Sequence, residues 1–182
     1  QPLPAEMHPC IQKGLQNLGI RSLFLHQAQA WECVLLGQNI AVVTGTASGK
    51  TYCYSLPVFQ RLLQDQATRA LYIFPTKALA QDQLNNTLNL LQAGGLDRKD
   101  LQAAIYDGDT PASARPAMRE NTRLLITNPD MLHMGILPHH TRWARFFENL
   151  QTIVIDEMHT YRGVFGSHVA NVIRRLKRIA NF

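Results

Sequence analysis

The residues with the clearest capacity for chemistry fall in two short stretches, Thr44–Thr51 and Asp156–His159. The first stretch crowds small residues in front of a lysine, which lets backbone N–H groups converge on phosphate oxygens. The second stretch opens with two adjacent carboxylates, a pair suited to holding Mg²⁺ and activating water. Together the two stretches predict a site that binds and splits ATP.

The first stretch matches a phosphate-binding loop that leads into a helix. We expect Lys50 to reach the β- and γ-phosphates and the Thr51 hydroxyl to ligate Mg²⁺. A helix that begins near Lys50 would direct the positive end of its dipole at the same phosphates. The strict pattern has glycine at position 44, where this chain has threonine. The loop residues predicted to bind nucleotide are Thr44, Gly45, Thr46, Ala47, Ser48, Gly49, Lys50 and Thr51.

The acidic pair follows the apolar run 152–155, with no Lys or Arg before Arg162. Two adjacent carboxylates at the end of a buried strand are unfavourable unless a cation is present. We expect Asp156 to hold Mg²⁺ through water and Glu157 to take the proton from the attacking water. An Asp-Glu pair alone is usually a solvated loop, and it is the phosphate loop in the same chain that favours the catalytic interpretation.

These stretches require elements that bring strand ends together, and the apolar pattern predicts such elements. Short, largely apolar runs alternate with segments of helical periodicity. This alternation predicts an α/β fold with a doubly wound, mainly parallel sheet, in which ligands collect at the carboxyl ends of the strands. Strands are predicted over 39–43, 69–74, 101–106, 123–127 and 152–155, and helices over 27–36, 50–64 with a kink at Pro57, 77–91, 111–120, 130–136, 143–150 and 169–179.

Length and composition fit one globular domain. The chain has 182 residues, of which 46% are hydrophobic and 17% charged. No apolar run approaches the roughly 20 residues of a membrane helix, and the N-terminus has no export signal. The three widely spaced cysteines disfavour a disulfide framework or zinc site. We therefore expect a cytoplasmic protein without a membrane partner, and the lack of an initiating Met suggests a chain excised from a longer one.

The charged residues and histidines say less about function than the two stretches do. The net charge of +5 is compatible with a polyanionic partner but does not establish one. The basic residues 174–178 are more often a solvated helix face than a nucleic-acid contact. His133, His139 and His140 are expected to be loop histidines rather than metal ligands, because no cysteine or i,i+4 partner accompanies them.

Four segments in this order resemble the first RecA-like domain of superfamily-two DEAD/DEAH-box helicases: 44–51, Phe74–Lys77, Thr127–Leu132 and Asp156–His159. The stretch 156–170, followed by Arg-Arg-Leu, is similar to one branch, that of the bacterial mitomycin-repair-factor helicases and their fungal RecQ-four-like relatives. The resemblance implies a RecA-like P-loop NTPase domain. Residues 1–182 would form the N-terminal ATP-binding domain of a longer helicase.

The resemblance also implies roles for individual residues. Gln27 lies 17 residues before Thr44, like the glutamine that reads adenine in such helicases; the alternative is a polar residue at a helix N-terminus. His159 would couple the ATP site to a following motif. A purely capping role remains open for Thr127 and Asn128. The implied contacts to the nucleic-acid backbone are Pro75, Thr76, Lys77, Thr127, Asn128 and Pro129.

By resemblance, the expected function is the ATP-binding lobe of an ATP-dependent nucleic-acid helicase that uses ATP and Mg²⁺. DNA is the expected partner, in a repair setting and with RNA not excluded, together with a second RecA-like domain of the same parent chain. The alternatives are the lobe of a non-unwinding translocase and a nucleic-acid-binding module with an inactive ATP site. Because the sequence ends before the Ser-Ala-Thr strand and the second lobe, we expect these residues alone to be nearly inactive.

Overall fold

The computed structural model describes residues 1–45 and 48–180, which fold into two compact units. Unit 1 consists of Gln1–Gln66 and Asn86–Asp100, and unit 2 of Ala67–Asn85 and the chain from Leu101 onward. Among the helices of the described residues, none is long and apolar enough to cross a lipid bilayer. The helices are α1 (Pro9–Asn17), α2 (Leu25–Leu35), α3 (Lys50–Gln64), α4 (Lys77–Ala93), α5 (Arg98–Leu101), α6 (Arg115–Asn121), α7 (Pro129–Met131), α8 (Ala144–Glu148) and α9 (Gly163–Ala180).

Unit 1 is built on the packing of α2 against α3. Trp31 from α2 and Phe59 from α3 are both almost fully buried, and burial of such aromatic side chains stabilises a fold by about 1.5–3 kcal/mol each. The buried Gln60 of α3 is satisfied at both ends, because its Oε1 accepts from His8 N at 2.7 Å and its Nε2 donates to Glu6 O at 3.0 Å. The predicted helix 50–64 is confirmed, and it continues through Pro57.

Unit 2 is a parallel sheet covered by helices. In the described part of the chain the sheet has four strands, β1 (Arg69–Ile73), β2 (Ala103–Ile105), β3 (Leu124–Thr127) and β4 (Leu150–Ile155), in the order β2-β3-β1-β4. All pairings are parallel. From β1 the chain winds to one side through β2 and β3 and then to the other side with β4, as predicted for a doubly wound fold.

The core of unit 2 lies between this sheet and the segment that follows β3. Leu71 and Leu125 of the sheet pack into one cluster with Trp143, Phe146 and other apolar side chains. A π-helical turn (Leu132–Ile136) and a 3-10 segment (Leu137–Trp143) carry the chain across this core. The near-continuous burial of β1 and β3 explains why their sequences are apolar without alternation.

The structure contradicts one predicted strand. Asn39–Val43 is irregular, and Val43 is 93% exposed. The β-leaning composition of this run is a weak preference, because a strand is stabilised mainly by hydrogen bonds and side-chain packing with a neighbouring strand. No strand of the described residues pairs with it.

Two smaller predictions also need correction. The predicted helix 111–120 begins only at Arg115, because Asp107–Thr110 form a turn in which Asp107 N donates to Thr110 Oγ1. The three histidines expected in loops instead lie in helical turns, His133 in Leu132–Ile136 and the other two in Leu137–Trp143. The unusual π and 3-10 geometry gives these turns no regular 3.6-residue period to detect.

Candidate functional site

The phosphate-loop residues lie in unit 1, at the start of α3. Gly49 is the residue before this helix and adopts a left-handed conformation, with φ of 72°. A β-carbon at Gly49 would lie 2.5 Å from Gln27 Nε2, so both backbone and space require glycine here. Thr46 and Ala47 lie outside the described residues, and the other predicted loop positions are described.

Side chains at the two ends of the loop hold its shape. Thr44 Oγ1 and Ser48 Oγ are 2.6 Å apart, and Lys50 Nζ donates to Thr44 O at 3.3 Å. The departure from glycine at position 44 therefore has a structural use, since only a hydroxyl there can bond to Ser48. This hydrogen bond of Lys50 to the Thr44 carbonyl is long, and a phosphate oxygen can replace it with a stronger, charge-assisted one.

Gln27 lies beside the loop but is engaged with the protein itself. Its Nε2 donates to Gly49 O at 2.9 Å, and its Oε1 accepts from the backbone N–H of Phe24, the N-cap residue of α2, at 2.9 Å. The side chain is only 4% exposed. This geometry matches the alternative of a polar residue at a helix N-terminus. An adenine contact would require Gln27 to exchange one of these bonds.

Two residues beside the loop were missed by the sequence reasoning. His26 Nε2 lies 3.0 Å from Ser48 O, and the His26 ring stacks on Phe24 with 5.8 Å between ring centroids. Phe24 is 64% exposed. The sequence does show an aromatic residue and a histidine just before Gln27. It does not show whether their side chains face the phosphate loop.

The acidic pair lies in unit 2, at the carboxyl end of β4. Asp156 continues the ladder, because its backbone N–H donates to Ile73 O at 3.1 Å. The next residue leaves the strand sharply, with Glu157 in a left-handed conformation at φ of 51°. For a non-glycine residue this conformation is uncommon, and strained positions of this kind concentrate at functional sites. At this turn the backbone N–H of Glu157 donates to Asp156 Oδ1 at 2.7 Å.

The surroundings of the acidic pair are polar on one side and aromatic on the other. His159 Nδ1 lies 3.2 Å from Glu157 Oε2, so the residue predicted to couple the site contacts the predicted base directly. Burial and the negative charge of Asp156 raise the pKa of Tyr161 to about 12. The phenol therefore stays neutral beside the carboxylates at any ordinary pH.

Thr76 and Lys77 follow β1 at the same edge of the sheet. Both are exposed. Thr76 Oγ1 accepts from Leu79 N at 3.3 Å in the first turn of α4, and Lys77 Nζ lies 2.5 Å from Asp109 Oδ2. The hydrogen bond to Asp109 raises the pKa of Lys77, with smaller contributions from nearby carboxylate charges. Lys77 is therefore a fully charged, accessible cation.

The residues at the end of β3 and directly after it differ in burial and in hydrogen bonding. Asn128 caps α7, with its Oδ1 accepting from Met131 N at 2.8 Å. Thr127 is 1% exposed and its hydroxyl donates to Tyr106 O at 2.7 Å, which ties β3 to β2 instead of capping a helix. Pro129 is buried and Pro75 partly buried. Asn128 is partly buried, whereas Thr76 and Lys77 are exposed, and all three are polar residues that directly follow a strand end.

The α/β fold with its parallel four-stranded sheet is that of a RecA-like helicase domain, and comparison with known proteins agrees. The model of the DEAD/DEAH box helicase family matches residues 24–182. The chain belongs to the DEAD/DEAH box helicase family. The DUF1998 helicase MrfA, solved bound to DNA and AMPPNP, superposes with a TM-score of 0.94 at 54% identity, covering 100% of this chain and 25% of that one.

Curated relatives place the chain in the predicted branch. It is 54% identical over its whole length to the uncharacterized ATP-dependent helicase YprA of Bacillus subtilis, of which it spans 24%. It is 42% identical over 163 residues to the ATP-dependent helicase hrq1 of Schizosaccharomyces pombe, covering 90% of this chain and 15% of that protein. The chain thus spans about a quarter or less of the length of these relatives.

Proposed function

We propose that this chain is the ATP-binding lobe of an ATP-dependent helicase that acts on DNA in repair. The observation that carries the proposal is the edge of the parallel sheet in unit 2. There the acidic pair follows β4, while the exposed Thr76 and Lys77 follow the neighbouring strand β1 and the partly buried Asn128 follows β3. A hydrolytic pair and backbone-contacting groups on one sheet edge suit a protein that couples ATP turnover to a grip on nucleic acid. The MrfA structure with DNA and AMPPNP supports this reading.

In the proposed site, the loop of unit 1 holds the ATP phosphates. Backbone N–H groups before α3 point at the phosphates, and Lys50 exchanges its bond to Thr44 O for the β- and γ-phosphates. The Thr51 hydroxyl of unit 1 and the Asp156 carboxylate of unit 2 are each a hard oxygen donor of the kind that Mg²⁺ prefers. When bound, Mg²⁺ would neutralise charge on the phosphate oxygens.

Glu157 is the proposed general base. Its left-handed turn directs the chain away from Asp156, so that one carboxylate can serve the cation and the other can accept the proton of water. His159, 3.2 Å from Glu157, would report the state of that carboxylate to the rest of the motor. For Gln27 we propose an adenine contact made after release of Phe24 N or Gly49 O.

The proposed grip on nucleic acid uses phosphate contacts without base reading. Lys77 pairs with Asp109, and an ion pair between exposed side chains contributes little stability, so a phosphate can displace Asp109 at small cost. Thr76 and Asn128 offer a hydroxyl and an amide from helix N-termini. Such contacts fix position on the strand and are insensitive to sequence. Thr127, Pro75 and Pro129 would shape this surface from within.

We further propose that residues 1–182 are the N-terminal RecA-like domain of a longer parent chain. A second RecA-like domain of that chain would complete the ATP site. The relatives, about four times longer than this chain or more, support that arrangement. A non-unwinding translocase built on the same lobe is the alternative, and accessory domains would decide between the two. The presence of Lys50, Thr51, Asp156 and Glu157 argues against a module with an inactive ATP site.

The phosphate-loop assignment is tested with Lys50→Ala. We expect ATP affinity, measured by calorimetry with Mg²⁺ present, to fall at least about tenfold, because a charge-assisted contact contributes about 1.5–3 kcal/mol. Lys99→Ala is the matched control, since it removes the same charge from an exposed position of unit 1. Undiminished ATP affinity of a folded Lys50→Ala protein would refute the assignment.

A further inference from the structure

A cavity of about 370 Å³ in unit 2 lies outside the predicted site. Its walls come from α6 and from the segment 134–143, with Tyr106 at the end of β2 also lining it. Three arginines, Arg115, Arg119 and Arg142, and His139 line it together with Tyr106, Ala112, Met134, Gly135 and Trp143.

Arg115 is held in a fixed orientation at this cavity. Its Nε donates to Thr110 O at 3.1 Å, and its guanidinium carbon lies 5.4 Å from the centre of the Tyr106 ring. The Tyr106 ring is itself fixed by edge contact with Trp143, at 5.0 Å between centroids. Because the hydrogen bond of Nε and the Tyr106 ring already fix the guanidinium, its remaining N–H groups can bind a ligand with little further loss of side-chain entropy.

The positive charge of the cavity is not neutralised by the protein. Within the described residues, no ion pair joins Arg119 or Arg142 to a carboxylate. Three like charges around one cavity repel one another, and partial enclosure strengthens that repulsion. An anion with several oxygens relieves it, and planar guanidinium forks match phosphate oxygens in geometry. The chemistry therefore selects phosphate.

The position of the cavity indicates whether a free phosphate ion or the phosphates of a nucleic-acid strand would bind there. Tyr106, which lines the cavity, accepts the hydrogen bond of Thr127 through its carbonyl oxygen, and Asn128 is the next residue. The cavity thus adjoins the sheet edge that carries the polar groups after β1 and β3. Three arginines also exceed the charge of one phosphate group, which favours successive phosphates of a strand over a free ion.

We propose that this arginine cavity, defined by Arg115, Arg119, Arg142 and His139, binds backbone phosphates of the nucleic-acid strand that Thr76, Lys77 and Asn128 contact. The inference rests on the proposed function and extends it, because it adds a phosphate site to the contacts proposed for Thr76, Lys77 and Asn128. It makes α6 and the segment 134–143 part of the nucleic-acid interface.

The test uses the double variant Arg119→Gln/Arg142→Gln and a fluorescently labelled single-stranded oligonucleotide. We expect the dissociation constant, measured by anisotropy, to rise about tenfold or more as charge-assisted contacts are lost. The salt dependence should also become shallower, by about 0.7 in the slope of log K against log salt for each contact removed. Arg145→Gln is the control, because Arg145 is exposed in the same unit and does not line the cavity.

Further arms separate the possible outcomes. Thermal unfolding checks that each variant is folded. If the double variant does not fold, the single variant Arg142→Gln replaces it. If Thr76→Ala/Lys77→Ala weakens oligonucleotide binding and the arginine variants do not, the cavity inference fails while the proposed function stands. Binding of inorganic phosphate with unchanged oligonucleotide affinity of the variants would also overturn the inference. If the unmodified protein binds no oligonucleotide, the proposed function and the inference fail together.

Discussion

At the scale of single residues, the candidate site depends on a few backbone conformations that allow each side chain its role. Gly49 and Glu157 both adopt left-handed backbone, one where the phosphate loop enters α3 and the other where the chain leaves β4. Glycine takes this conformation without cost, whereas glutamate costs on the order of 1 kcal/mol. Gln102 also has a positive φ, of 46°, outside the candidate site, so the role proposed for Glu157 rests on its position directly after β4 and Asp156.

Tyr161 offers a pH-dependent test of the surroundings of Asp156. Its pKa of about 12 in the folded protein exceeds the value of about 10 for an unfolded tyrosine. The folded state therefore favours the neutral phenol, and this contribution to stability is complete below about pH 10 and is lost as the pH rises towards about 12. We expect the stability of Tyr161→Phe to fall less steeply than that of the parent protein over this window.

The measurement is urea unfolding in chelator-containing buffer, with tyrosinate absorbance recorded in parallel. Tyr161→Phe should lack one tyrosine that titrates near pH 12. Between about pH 7 and 9 both proteins should show the same pH dependence, since the phenol is neutral in either state. Equal alkaline slopes for the two proteins would show that burial and the charge of Asp156 do not raise the pKa of Tyr161 as the structure indicates.

At the scale of elements, close helix packing in unit 1 depends on glycines. A β-carbon at Gly14 of α1 would lie 2.7 Å from Leu90 O of α4 and 3.0 Å from Leu90 Cδ1. Gly94 would clash in the same way with Cys10 O. The two glycines thus let α1 approach the C-terminal part of α4 more closely than side chains would allow.

We predict that Gly14→Ala lowers the free energy of unfolding by about 1–2 kcal/mol. Alanine favours an isolated helix by about 1 kcal/mol over glycine, but overpacking against a rigid backbone carbonyl costs about 1–3 kcal/mol or more. The steric cost prevails, because Leu90 O cannot move as a side-chain end can. Gly108→Ala is the control, since the added methyl meets open space there. A stabilised Gly14→Ala protein in chemical unfolding would contradict the packing described.

At the scale of the whole molecule, the chain supplies the phosphate loop from unit 1 and the acidic pair from unit 2. Relatives in which this segment spans only 15–24% of the length provide further domains. An arginine supplied from outside a P-loop site accelerates phosphoryl transfer by about 10³–10⁵-fold. We therefore predict that the isolated 182 residues bind ATP but turn it over hardly at all, even with nucleic acid.

A coupled ATPase assay with and without single-stranded DNA checks this prediction. The full-length parent protein is the positive control, and its Glu157→Gln variant should retain ATP binding while losing hydrolysis. Strong DNA-stimulated hydrolysis by the 182 residues alone would show that the catalytic site needs no second lobe.

The sequence by itself determined the alternation of strands and helices, the phosphate loop, the acidic pair and the family. These features have local signals: the run 70–73 is apolar throughout because it is buried on both faces, and the small residues of Thr44–Thr51 predict a backbone that can approach phosphates. Helix 50–64 was predicted with its observed bounds because its periodicity and its glycine start are both local signals.

The tertiary structure alone decided what depends on partners distant in sequence. It removed the strand predicted over Asn39–Val43, since a strand needs a paired neighbour, and it set the order β2-β3-β1-β4. It also engaged both ends of the Gln27 amide and brought Arg115 and Arg142 to one cavity. Such contacts follow from how elements pack, and hydrophobic packing is non-directional, so no local pattern in the sequence records them.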